Sequence, residues 1–161
     1  MSTTPTPPIP IVLVGIHTEI GEPVAEGLRP DFDVIRFIQT FSAAQSDLPH
    51  LLRGSAPPDA ATNTVGSADY SRGGARAVLF GRGFSQRQAE ELYAANKDQG
   101  GEGEGEGGAA VVWIAGAEAN RPAGLPLEPP PPGIEKIMVP VFKAQLEKWV
   151  KGGCKGGLVL Y

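Results

Sequence analysis

His17 is one of two histidines in the chain, and it stands in Gly15-Ile16-His17-Thr18-Glu19, directly after a run of Ile, Val and Leu. Histidine changes charge closer to neutral pH than other side chains, so one held at the end of a strand is suited to acid–base work. Glu19 and Glu118 add carboxylates that could hand on a proton. Arg82 lies between Gly81 and Gly83, where the glycines free the backbone and the guanidinium can reach forward to an anion. Ser85 follows closely, and Ser85-Gln86-Arg87-Gln88 has the form of a capping box, placing a helix N-terminus beside that arginine. His17 and Glu118 are therefore the candidate proton carriers, and Arg82 and Ser85 candidate ligand contacts. The lone Cys154 has no histidine or metal-ligand spacing near it, and no zinc, calcium or Walker-type pattern occurs, so no metal site is expected.

Such residues act together only if elements bring them to one edge. Four short apolar runs, Ile9–Ile16, Val34–Ile38, Ala77–Phe80 and Ala109–Ala115, are continuous rather than alternating, as strands are when a parallel sheet is covered on both faces. Helical signals separate them. Gly21-Glu22-Pro23 reads as a helix start, with Val24, Ala25 and Leu28 facing inward and Arg29-Pro30 as the stop. A weaker helix spans about Ser42 to Leu52, and Pro49 implies that it is broken or begins late. After Ser85, residues Ala89, Leu92, Tyr93 and Asn96 share one helical face. Phe142, Leu146, Trp149 and Val150 form another stripe before Gly152-Gly153, and Gly157 to Tyr161 can add a last strand. The alternation predicts an α/β fold: a three-layer, Rossmann-like parallel sheet of four to five strands with helices on both faces. In that fold the first strand delivers His17, Thr18 and Glu19 to the crevice at the strand ends. The second delivers Gln39 and Thr40, the third Gly81 to Ser85, and the fourth Gly116 to Arg121.

A length of 161 residues suits one domain, 1–161, although 22 Gly and 16 Pro leave less of it to pack a core. Segments 54–74 and 99–108, the latter with its Gly-Glu repeat, read as flexible surface loops, and 121–133 as a proline-rich spacer. A net charge of −4 argues against nucleic acid, which calls for a basic face. A single cysteine gives no sign of an oxidising compartment. The N-terminus lacks the form of a signal peptide, and no run nears the roughly 20 apolar residues of a membrane span. These features predict a cytoplasmic protein with a small-molecule ligand, no nucleic acid, no membrane, and a homodimer left open.

The stretch Val14-Gly15-Ile16-His17-Thr18-Glu19-Ile20-Gly21 and the helix after it resemble the opening of the short-chain dehydrogenase/reductase family, whose pattern is T-G-x-x-x-G-I-G. Gly15 matches the first glycine and Ile20-Gly21 the last pair, while Glu19 stands where the family has its middle glycine. The resemblance implies a Rossmann-like NAD(P)-binding domain, with Gly15, Thr18, Gly21, Thr40, Arg82 and Ser85 as the cofactor contacts. A carboxylate at Glu19 would oppose the pyrophosphate. The second strand ends in Gln39-Thr40-Phe41-Ser42, without the acid that binds the ribose of NAD, so those hydroxyls and Arg36 favour NADP. Tyr93 and Lys97 match the family's Y-x-x-x-K signature, in which a lysine one turn away helps the tyrosine act as the acid. The other reading of Tyr93 is a half-buried aromatic on the sheet-facing stripe.

Three functions stay open on these residues. The first is a Rossmann-like small-molecule or dinucleotide-binding protein, an NADP-type oxidoreductase among them. The second is a cofactor-independent isomerase, cyclase or lyase, the absence of any cofactor being as plausible as NADP. The third is a non-catalytic binding or dimerisation module that uses Phe142, Trp149 and the last strand. The Pro-, Ala- and Gly-rich composition suits specialised (secondary) metabolism as a setting for the second.

Overall fold

The computed structural model describes residues 8–29, 31–57, 66–67, 74–81, 84–96, 111–116, 133–153 and 156–160. Strand and helix alternate through them: β1 (Ile9–Val14), α1 (Thr18–Leu28), β2 (Phe32–Ile38), α2 (Phe41–Leu52), β3 (Ala77–Phe80), α3 (Gln86–Asn96), β4 (Val112–Ala115), α4 (Ile134–Lys151) and β5 (Gly157–Leu160). All strand pairings are parallel, in the order β2-β1-β3-β4-β5. The fold is the expected three-layer α/β arrangement. Alternate strand residues feed two cores. Ile11, Leu13, Val34, Phe37, Leu79 and Ile114 meet α1 and α4 on one face. Val12, Val14, Ile35, Ile38, Val78, Phe80 and Trp113 meet α2 and α3 on the other. Apolar side chains are thus buried in both directions along each inner strand, which is why the runs are continuous in sequence.

Growth of the sheet changes direction once. β2 lies on one side of β1, and β3 on the other, so the switch falls between β1 and β3. Doubly wound sheets of the flavodoxin type share this order, whereas a sheet built from two dinucleotide-binding halves runs 3-2-1-4-5-6.

Several local expectations change. α1 begins at Thr18, a turn before Gly21, because His17 is extended (φ −110°, ψ 122°) and its carbonyl accepts from the Ile20 and Gly21 amides at 3.1 and 2.9 Å. Pro23 consequently sits inside α1, where the carbonyl it cannot serve is that of Glu19, in the first turn. α2 runs unbroken through Pro49, for the residue deprived of a bond, Gln45, is exposed and its carbonyl can turn to water. Val150 is exposed rather than part of the buried stripe of α4. Phe142 and Trp149, expected at an interface, are buried in the chain's own core. Trp149 also lies 5.6 Å beneath the Arg76 guanidinium. No helix among the described residues is long and apolar enough to cross a membrane.

β2 carries a bulge. Ile11 pairs with Val34 but Val12 with Arg36, leaving Ile35 as the extra residue. Arg36 thereby shares the α2 face with Ile35, and its Nη2 donates to Asp47 Oδ2 at 3.1 Å in a buried pair. A guanidinium held there cannot reach the strand ends, so Arg36 gives no support to NADP.

Candidate functional site

The C-terminal strand ends form a floor of nearly bare backbone. β1, β3 and β4 each run directly into a glycine: Gly15, Gly81 and Gly116. The ladder continues through two of them, as Gly15 N–H donates to the Ile38 carbonyl and Gly81 N–H to the Val14 carbonyl, both at 2.8 Å. Gly15 and Gly81 therefore sit side by side at the β1/β3 switch, where doubly wound sheets open a crevice to ligands.

Neighbouring residues hold this edge in shape. The Gln39 amide donates to the Ile16 carbonyl at 3.0 Å, bracing the β1–α1 loop from the end of β2. Across the switch, Phe84 packs edge-on against Phe80 at 6.3 Å, and its N–H donates to the Gly81 carbonyl at 3.1 Å. The Ser85 capping box is present: its hydroxyl accepts from Gln88 N–H at 3.1 Å, and its own N–H donates to Gln88 Oε1 at 2.9 Å. Thr40 does the same for α2, accepting from Ala43 N–H at 3.0 Å. Both hydroxyls are already engaged in capping.

Above the floor, His17 Nδ1 lies 3.3 Å from Glu19 Oε1, with the imidazole about a quarter exposed and the carboxylate mostly so. A carboxylate at Nδ1 fixes the ring and directs its other nitrogen, Nε2, to the proton-transfer role. Thr18 opens α1 between them. The carboxylate paired with His17 is thus Glu19, because the turn into α1 bends the chain back within two residues. Glu118, Arg82 and Lys97 lie outside the described residues.

Gly15 and Gly21 have a neighbour that sequence spacing conceals. A Cβ on Gly21 would come within 2.6 and 2.7 Å of Cε1 and Cζ of Phe37, and one on Gly15 within 3.2 Å of the same Cε1. The first turn is wrapped over this ring, which is itself buried. Packing against Phe37 by itself calls for glycine at position 21 and favours it at position 15. The alternation of β2 after its bulge was the available signal, since it directs Phe37 toward α1.

Tyr93 is in another place. Its ring stands edge-on to Trp113 with centroids 5.7 Å apart, on the sheet-facing side of α3. Seven residues into α3 corresponds to about 10 Å along the helix axis, away from the strand ends. Among the described residues, no group of three His, Cys, Asp or Glu could hold a metal ion.

No known family profile matches this chain, and neither does any solved structure. The chain is similar to Kojic acid related protein 6 of Aspergillus oryzae (strain ATCC 42149 / RIB 40), with 29% identity over 130 residues that cover 80% of this chain and 72% of that protein.

Proposed function

We propose that this protein is a small-molecule enzyme of specialised metabolism that moves a proton at the β1/β3 strand ends without a nucleotide cofactor, as an isomerase, cyclase or lyase does. The observation that carries this reading is the His17–Glu19 pair, 3.3 Å apart, set beside the glycine backbone of the switch. A bare floor lets a compact substrate approach the strand ends, and His17 takes or returns its proton. Glu19 holds the ring. The name of the relative, which refers to kojic acid, supports a setting in small-metabolite chemistry. The cytoplasm is the compartment we assign to it, on the single cysteine and the acidic charge.

An NADP-type oxidoreductase is less well supported. The glycines that would receive a pyrophosphate are committed to Phe37, a carboxylate stands at the start of α1, and Arg36 is buried against Asp47.

Small oxygenated metabolites, kojic acid included, can be screened in heavy water for ligand C–H exchange by proton NMR, with NADPH and NADH titrated separately. The expected result is catalysed exchange that His17→Ala removes and Glu19→Gln weakens. Gly81→Ala should weaken ligand binding while leaving the fold intact, because its Cβ would meet only the Val14 carbonyl at 3.6 Å and Gly15 Cα at 3.7 Å. Tight NADPH binding with shifts at Gly15 and Gly81, or exchange indifferent to His17→Ala, would overturn the proposal.

A further inference from the structure

The first two strands hand over to their helices through short turns that lie side by side. β1 ends at Val14 and leads through Gly15 and Ile16 to His17, the N-cap of α1. β2 ends at Ile38 and leads through Gln39 to Thr40, the N-cap of α2. A backbone bond joins the turns at Gly15, whose N–H donates to the Ile38 carbonyl at 2.8 Å. One residue further on, a side chain continues the link, as Gln39 Nε2 donates to the Ile16 carbonyl at 3.0 Å. That carbonyl and the His17 N–H belong to one planar peptide, so Gln39 sets the plane from which His17 departs. On the other side, the His17 carbonyl is tied into α1 by the Ile20 and Gly21 amides at 3.1 and 2.9 Å.

Capping explains why this turn is held from outside. Thr40 and Ser85 use their hydroxyls to cap α2 and α3, and each thereby pins its own turn. The His17 side chain makes no capping bond to α1. It faces Glu19 instead, with Nδ1 3.3 Å from Oε1. We infer that Gln39 is a positioning residue for His17: by holding the Ile16 carbonyl from the end of β2, it takes the place of a side-chain cap and keeps the imidazole set against Glu19. The functional meaning of this hold rests on the proton-transfer reading of His17, but the hold itself can be measured without a substrate.

The test reads the ring first and turnover second. With the imidazole labelled with ¹⁵N, long-range proton–nitrogen spectra at a pH where the ring is neutral report which nitrogen carries the proton. In the parent it should lie on Nδ1, facing Glu19. Gln39→Met keeps the length of the side chain and removes the donor. It should lower the ratio of Nδ1–H to Nε2–H by about 2- to 10-fold, the weight of one exposed neutral hydrogen bond. Gln39→Lys restores a donor and should return the ratio toward that of the parent. Gln39 is exposed, so both variants should fold as the parent does, which circular dichroism checks. With any oxygenated metabolite that undergoes catalysed C–H exchange, kojic acid among those screened, Gln39→Met should lower kcat by a similar factor and leave KM little changed. A parent ring protonated on Nε2, a parent ratio retained in Gln39→Met, or a Gln39→Lys ratio no nearer the parent would overturn the positioning role. His17-dependent exchange that is indifferent to Gln39→Met would overturn it too, while leaving the proton-transfer reading intact. A ratio that responds to Gln39→Met, with no exchange of any metabolite, would uphold the hold on the ring and remove the catalytic reading instead.

Discussion

Replacing Gly21 by alanine separates a packing glycine from a ligand glycine. Two opposed terms act at this site. Alanine is favoured over glycine in a helix interior by about 1 kcal/mol. Against that, the new methyl would lie 2.6 to 2.7 Å from two atoms of the Phe37 ring, where carbon atoms normally rest about 3.5–4.0 Å apart. The ring must retreat by roughly 1 Å, yet it is buried within the same core as Ile11, Val24 and Leu28. Overpacking of this kind costs about 1–3 kcal/mol. The net expectation is a loss of about 1 kcal/mol, or roughly 2–4 °C in a domain of this size. Urea unfolding of the parent, Gly21→Ala, Phe37→Leu and the double variant measures it. Phe37→Leu shortens the ring that is struck, so the two changes should couple by about 1 kcal/mol or more. The neighbours also set a rank order. Contacts of 2.6, 3.2 and 3.6 Å at Gly21, Gly15 and Gly81 predict decreasing losses on substitution by alanine. A Gly21→Ala protein about 1 kcal/mol more stable than the parent, with no coupling to Phe37, would refute the packing account.

Asp47→Ala removes the carboxylate oxygen that Arg36 Nη2 reaches at 3.1 Å in a buried pair and should destabilise by up to about 3–5 kcal/mol in urea unfolding, whereas Arg36→Met with Asp47→Leu should recover most of that loss. Tyr93→Phe keeps the ring against Trp113 and should leave both stability and any catalysed exchange unchanged, while Tyr93→Ala should cost about 2–4 kcal/mol. Loss of turnover in Tyr93→Phe would instead restore the tyrosine–lysine reading.

The layers were legible because continuous apolar runs leave few other arrangements. Val12, Leu13 and Val14 are all buried, and alternating directions require a helix layer on each side. The Ser85 box was equally plain, for both of its bonds lie within four residues. Non-local contacts were not legible. Gly15 and Gly21 resemble a cofactor turn because such a turn and a turn packed over a phenylalanine make the same demand for a missing Cβ. The partner, Phe37, is supplied by a different strand. Arg36 read as a strand-end cation because counting alone places it two residues from Ile38. The bulge at Ile35 turns it toward α2, where Asp47 stands eleven residues later.

Strand order decides what the site can be made from. With β2 and β3 on opposite sides of β1, the loop after β1 leads to α1 on one face and the loop after β3 leads to α3 on the other. It is at such a switch in strand order that doubly wound sheets receive ligands, whatever their sequence. Its existence is therefore no evidence of a nucleotide. What distinguishes this chain is the furnishing of the edge. The β1–α1 loop is braced by Gln39 and ends in His17 beside Glu19, while Thr40 and Ser85 are spent on helix caps. Each of these hydroxyls accepts from a backbone N–H of its own helix, and the imidazole–carboxylate pair is the proton-transfer chemistry at the switch among the described residues. That distribution is what supports the proposal of proton transfer to a compact substrate at this edge.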